Sequence, residues 1–438
     1  MQRGTAARIA GGLMALFVLP VAAGGSVTPP PTFAMVATTV DTSGGIAHAA
    51  SAPVCLPHDG NPAATLQQAF ATGNTASLGA LSGFDEPTIY PLGDGRQLWL
   101  VHDAYLDLDH SGGPYQDQTY VHNVAMEVTT DAADVCVSLR FQWRPDGLTP
   151  VDFETGPTDD PEHHYKTMVR WWWALGGGID ADGTLTVLWA EMEEDHGGRT
   201  ERRPQDGITR HPVAVWRAVY DPVTLDRLAF EPAADPGIAP LYGVGVVDDP
   251  AAGFTYLFGN AMERDLTRSG GYEAGPHPGT RTYLARVPLG QYTSAPEYWD
   301  GGGWSTDRTK AAAVHEGGWA EWMLQPRLID GQWVSITKVD AFWSAHVVVQ
   351  TADHPQGPWA IALDIPFAVP TLGLDPTSPG GIGTLQATYS PVIVPDWSRA
   401  GHLTVVMSQN GWNWPQVCDK AAVIPYYWPA VVPVDLDQ

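Results

Sequence analysis

The 438-residue sequence predicts an all-β chain: a five-bladed β-propeller with an N-terminal signal peptide and a disordered arm. Three observations predict it. Forty-seven Gly and 38 Pro punctuate a chain that is 44% hydrophobic, which suits many short strands joined by tight turns. Apolar and polar residues alternate in short runs, while segments with the 3.6-residue period of a helix are nearly absent. The runs gather into five groups, and radial repetition of antiparallel units is one way to protect sheet edges. A β-sandwich with long loops is the architectural alternative.

Residues 1–23 read as the signal peptide. Arg3 and Arg8 precede an apolar run from Ile9 to Ala23, and the small residues Ala22, Ala23 and Gly24 suit cleavage. The run is short for a membrane span, so the expectation is a secreted protein of the extracellular space or cell envelope, held at a membrane only if this segment stays uncleaved. Residues 24–60 form a Pro, Ala, Gly and Thr-rich arm without a packing pattern, and 61–438 form the propeller. Gln67 to Ala71 is the one short helical stretch. The strand groups then cover roughly 80–145, 165–231, 240–305, 318–363 and 384–430, each a strand, a Gly/Asp turn and a return.

The formal charge is -26, yet only 16% of residues are charged, so the excess comes from scarce Lys and Arg. Such a surface repels nucleic acid and anionic membrane, and it suits an exported monomer acting on a neutral polymer. Three cysteines, Cys55, Cys136 and Cys418, allow one disulfide in an oxidising compartment. Cys55 with Cys418 would tie the arm to the C-terminus, although the sequence leaves all three pairings open.

The first strand group holds the candidate chemistry. In "SGFDEPTIYPLGDGRQLWLVHDAYLDLD" a Gly93-Asp94-Gly95 turn separates two apolar runs, and counting nine residues outward from Asp94 lands on Asp85 and Asp103. Pairing across that turn makes them near cross-strand neighbours, with Cα atoms about 4.5 to 5.5 Å apart if directly opposite. Two carboxylates that close repel, so one tends to hold a proton and the other to stay ionised. Glycosidic bond hydrolysis needs that division of labour. The plainer reading is two Asp residues capping the hairpin mouth.

Longer motifs favour the first reading. "GDGRQLWLVHDAYL", "HNVAMEV" at 122–128, "TYLARVPLGQYTSAPEYWDGGGWS" at 282–305, "GGWAEWMLQPRLIDGQWVSI" at 317–336 and "ADHPQGPW" together resemble glycoside hydrolase family 183, formerly domain of unknown function 4185. The resemblance spans about 78–420. It implies a five-bladed propeller, activity of the endo-D-arabinanase type on the arabinan of cell-wall arabinogalactan, and a catalytic pair at Asp85 and Asp103. Two departures stand out: His102-Asp103-Ala104 replaces the usual Gly-Asp-Thr, and Trp322 follows Glu321 where a small residue is usual. A non-catalytic carbohydrate-binding propeller is the alternative that the altered motif favours.

Other candidates complete the expected site. Glu321, at the start of the fourth group's inner strand, is a third acid. His122 and Asn123 fall near Asp103 if the third strand pairs in register, where they would bind a sugar hydroxyl, or Asn123 would bridge blade loops instead. Among eighteen Trp, Trp319 and Trp322 are the leading platforms for stacking on sugar, ahead of Trp171, Trp172, Trp173, Trp299 and Trp304. Glu191, Glu193 and Glu194 read as a solvated rim. No cofactor is expected and no metal site: "DADG" at 180–183 lacks the remaining ligands of a calcium loop and reads as a hairpin turn, and His163-His164 lacks the second half of a zinc motif.

Overall fold

A computed structural model describes residues 49–72, 81–107, 119–143, 150–156, 168–195, 211–261, 281–316, 325–338, 346–366, 386–411 and 427–436. Two short strands come first, β1 (Ala49–Ala50) and β2 (Val54–Pro57), followed by the helix α1 (Pro62–Thr72). Blade 1 then contains β3 (Leu81–Pro91), β4 (Arg96–Leu106), β5 (Thr119–Thr130), β6 (Asp134–Trp143) and β7 (Pro150–Val151). Blade 2 is β8 (Met168–Ile179), β9 (Leu185–Asp195), β10 (His211–Tyr220) and β11 (Arg227–Pro232). Blade 3 is β12 (Leu241–Asp249), β13 (Phe254–Ala261), β14 (Arg281–Pro288), β15 (Glu297–Trp299), β16 (Trp304–Ser305) and β17 (Ala313–Glu316). Blade 4 is β18 (Arg327–Ile329), β19 (Gln332–Lys338), β20 (His346–Ala352) and β21 (Ala360–Pro366), and blade 5 is β22 (Gln386–Ile393), β23 (His402–Gly411) and β24 (Ala430–Asp435).

Each blade is an antiparallel sheet in which sequence neighbours pair, with the first strand at one edge. The sheets pack in a ring: β3 meets β8, β8 meets β12, β12 meets β18, β19 meets β22, and β22 and β23 return to β3. The five-bladed propeller expected from the sequence is therefore the observed fold, with blades close to the five predicted groups. Because an inner strand is covered by neighbours on both faces, it loses the alternation of a half-buried strand. In β3 every residue from Leu81 to Tyr90 is buried.

Among the described residues no strand is shared between the first and last blades; side-chain packing closes the ring together with hydrogen bonds, among them Phe84 N–H to the Tyr427 carbonyl at 3.0 Å. Helix α1 contacts both β24 and β6. Its Phe70 stacks on Trp428 at 5.4 Å and meets Phe84 edge-on at 5.5 Å. All three are nearly inaccessible to solvent, and burying one such ring contributes about 2 to 3 kcal/mol. The Gln67 side chain accepts a hydrogen bond from the Val431 backbone.

One expectation is corrected here, and one open pairing is settled. The arm is not structureless throughout: β1 and β2 pair with β6 and extend blade 1 outward. This edge binds chain that lies upstream of the predicted domain start. Cys55 is bonded to Cys136 and not to Cys418, because β2 places Cys55 directly opposite Cys136 with their Cα atoms 4.0 Å apart. Cys418 lies outside the described residues.

A second joint ties blades 1 and 2. Segment 150–156 runs beside β5, and the fully buried Glu154 accepts hydrogen bonds from Tyr220 and Arg227 of blade 2. Burial nevertheless pushes the Glu154 carboxyl up to about 7, against the pull of Arg227 and Tyr220.

Removing the bond with Cys55→Ser and Cys136→Ser frees a span of 81 residues and detaches β2, so stability is expected to fall by about 2 to 5 kcal/mol. An unchanged melting temperature would refute that role. Glu154 gives a pH signature. Its folded carboxyl holds a proton more tightly than the ordinary value of 4.5, so its stabilising contribution is complete below that pH and is lost as pH rises through about 7. The full loss is roughly 3 kcal/mol at 1.36 kcal/mol per unit. Thermal melts across pH 4 to 9 should show a shallower decline in Glu154→Gln than in the parent.

Candidate active site

The hairpin β3–β4 positions the site. Its turn contains Gly93 and Gly95 with φ of +81° and +83°, a left-handed conformation that glycine adopts without a Cβ clash. From that turn the expected register holds through Pro91–Gln97, Tyr90–Leu98, Ile89–Trp99 and Thr88–Leu100. Beyond Thr88 the register slips, and Asp85 stands opposite His102. Glu86 and Asp103 take up the irregularity with φ of +41° and +39°. Such backbone costs about 1 to 3 kcal/mol per residue and persists only where the surroundings hold it. Asp85 and Asp103 are therefore not direct partners, as a regular ladder would make them.

The two acids still act on each other. Each is 9% exposed. Burial pushes the Asp85 carboxyl well above the carboxylate range, and the charges of Asp103 and Glu86 push it the same way. Hydrogen bonds from Tyr389 and Tyr427 offset this only in part. The Tyr389 hydroxyl of blade 5 donates to Asp85 Oδ2 at 2.7 Å, and burial holds that phenol protonated well beyond its ordinary range. Asp103 Oδ1 accepts from Trp173 Nε1 of blade 2 at 3.3 Å, and the Asp103 carbonyl accepts from the Tyr427 hydroxyl.

Glu86 completes a group of three carboxylates. Its Oε1 accepts from Ser390 Oγ at 2.8 Å, and its backbone N–H donates to Ser408 Oγ at 2.7 Å, so blade 5 fixes both ends of the residue. Its Oε2 lies 3.4 Å from His102 Nδ1. The site can hold one carboxyl protonated beside others that accept hydrogen bonds, within a nearly dry corner where such groups interact strongly.

His122 and Asn123 sit on β5. His102 pairs with Asn123 and Ala104 with Val121, which puts His122 opposite Asp103, as the register argument expected. The His122 Nδ1 lies 3.4 Å from Asp152 Oδ2, and its ring stacks on Trp171 at 5.0 Å. Asn123 is fully buried: Oδ1 accepts from the Glu154 backbone, and Nδ2 donates to the carbonyls of Glu154 and Trp172. It bridges strand, loop and blade, so the bridging reading fits it and a sugar contact does not.

Glu191 is not part of a solvated rim. It is 4% exposed, pairs with Arg170 at 2.7 Å and accepts from Trp216 Nε1, while Glu193 takes the other end of Arg170. Residues 180–183 form the expected hairpin turn, closed from Gly183 N–H to the Asp180 carbonyl. Trp171 and Trp172 are buried, and Trp299 and Trp304 pack on each other at 5.5 Å. Glu321, Trp319, Trp322 and His163-His164 lie outside the described residues. Among the described residues no cluster of three or more His, Cys, Asp or Glu is arranged to hold a metal ion.

Sequence reasoning missed Glu86, His102, Tyr389, Ser390, Ser408 and Tyr427 as parts of this corner, and it took Trp173 only as a blade-edge aromatic. One signal was present: Glu86 directly follows Asp85 in a run of otherwise uncharged residues.

No curated protein matches the chain. Among solved structures, a suggested hydrolase from Bacteroides ovatus aligns with a TM-score of 0.59 at 15% identity, over 89% of this chain and 91% of its own. The alpha-L-arabinofuranosidase of Podospora anserina, solved with cellotriose, aligns with a TM-score of 0.40 at 10% identity, over 81% and 92%. The catalytic domain of the Coprinopsis cinerea GH62 alpha-L-arabinofuranosidase aligns at 0.41 and 11%, over 81% and 91%. At these identities the likeness is one of fold, and of the three the Bacteroides protein carries it. The match to a protein family runs over residues 74–434, nearly the whole propeller, and by it the chain belongs to the family described as Domain of unknown function (DUF5005).

Proposed function

We propose that this protein is a secreted glycoside hydrolase that cuts internal bonds of a furanose polymer, with the D-arabinan of cell-wall arabinogalactan as its substrate. The observation that carries the reading is the convergence of Asp85 and Asp103 in one nearly dry corner that drives the Asp85 carboxyl to its protonated form. The motifs resembling glycoside hydrolase family 183 select the same two residues, and the substrate and endo mode rest on that resemblance.

In this mechanism Asp85 is the general acid. It gives its proton to the glycosidic oxygen as the bond from that oxygen to the anomeric carbon breaks. Asp103 works at the anomeric carbon, either by taking a proton from the attacking water or by attacking directly. Tyr389 and Trp173 hold the two carboxyls in place through the hydrogen bonds described above. His122, facing Asp103 across the ladder, is assigned a sugar contact. Glu321, Trp319 and Trp322 keep their assignments as a third acid and stacking platforms. The signal peptide at residues 1–23, a secreted monomer and a cofactor-free reaction belong to the same reading.

The test is incubation of the purified protein with D-arabinan-containing arabinogalactan, with released oligosaccharides resolved by chromatography. A ladder of products from the parent is expected, falling by about 100-fold or more in Asp85→Asn and in Asp103→Asn. Undiminished polymer binding without products would replace the enzyme with a carbohydrate-binding propeller. The pH profile adds a signed prediction. Asp85 must hold its proton, so activity is lost as pH rises through its raised value, and the basic limb lies above the ordinary carboxylate range. Tyr389→Phe removes a hydrogen bond that favours the ionised form, so that limb should move to higher pH.

A further inference from the structure

We infer that His102 is a positioning residue, which sets the placement of Asp85 and Asp103 through two contacts: one with Glu86 and one with Trp173. The inference rests on those two aspartates being the reacting pair. His102 is also where this chain departs from the motif it resembles, which has glycine at that place.

The imidazole is fully buried, and each of its ring nitrogens meets an oxygen. Nε2 lies 3.0 Å from the carbonyl oxygen of Ala174, which can only accept, so Nε2 carries a hydrogen. The other nitrogen faces Glu86 Oε2 at 3.4 Å, and two bare acceptors in a buried site would repel. The contact between the imidazole and Oε2 tempers the charge that Glu86 presents to Asp85. Glu86 is the residue with left-handed backbone next to Asp85, so the same contact also steadies the irregular ladder.

The second contact uses the flat face of the ring. His102 lies parallel to Trp173, with ring centres 5.3 Å apart and planes 4° from parallel. That indole donates to Asp103 Oδ1. A glycine at this place would remove both the stack on the indole and the contact with Glu86. The groups facing Asp85 are then Glu86 on its own strand, His102 and Asp103 on β4, and Tyr389 and Tyr427 from the blade 5 side.

The test is a double-mutant cycle read by 13C NMR titration of the Asp85 carboxyl in the full chain, assigned with Asp85→Asn. His102→Ala should raise the Asp85 midpoint by about one pH unit, because Glu86 then presents its whole charge. Glu86→Gln should lower it by a similar amount. The double variant should titrate like Glu86→Gln alone, since His102 acts through Glu86. The Asp103 carboxyl resonance should also move in His102→Ala, because its indole donor has lost its stack. An unmoved Asp85 midpoint in His102→Ala, or effects of the two substitutions that simply add, would overturn the inference. If His102→Ala melts too low to titrate, His102→Leu keeps most of the volume without a donor and takes its place under the same rule. Cleavage plays no part in this readout. A failed cycle thus leaves the glycosidase reading intact, and a missing cleavage activity leaves the cycle to decide the role of His102.

Discussion

Repulsion among three carboxylates crowded into one corner is the constraint that the surrounding residues answer. Asp85, Glu86 and Asp103 are each at most 9% exposed, where charge is poorly solvated and like charges push strongly on each other. The structure meets this with donors from different blades. Blade 5 gives Tyr389 to Asp85 and Ser390 to Glu86, and blade 2 gives Trp173 to Asp103. What these donors do not offset is left on Asp85, whose carboxyl is pushed well above the carboxylate range by burial first and then by the charges of Asp103 and Glu86.

The ring architecture is what allows such an answer. Inner strands are short of room for polar groups unless neighbouring blades supply partners, since a buried unpaired group costs about 1 to 3 kcal/mol. The joint between blades 1 and 2 follows the same rule with Asn123 and Glu154, whose polar atoms reach across to Trp172, Tyr220 and Arg227. That joint also holds the strand bearing His122, so interblade packing and the shape of the site share one set of contacts.

Much of the fold was legible in the sequence because tight turns and short alternating runs are local signals. The Gly93-Asp94-Gly95 turn set a register that the structure keeps as far as Thr88 and Leu100. The slip beyond it was not legible, because left-handed backbone at Glu86 and Asp103 is imposed by partners more than 300 residues away on blade 5, such as Ser408 and Tyr427. Glu191 was misread for a related reason. Its run looks acidic and exposed in sequence, but Arg170 and Trp216 come from the neighbouring strands and bury it. The disulfide pairing stayed open because the register of β2 on β6 cannot be read from an arm with no apolar pattern.

Among the described residues the ring closes without a strand shared by the first and last blades, and this has a kinetic consequence. Asp85 and its donor Tyr389 are separated by 304 positions, so the corner is assembled from the two ends of the chain. Contacts of such long range come late, after most of the entropy of loop closure has been met. During synthesis the hairpin of blade 1 emerges before Tyr389, Ser390 and Ser408, which hold its acids in the folded chain. The corner described above therefore forms only when the fifth blade docks against the first.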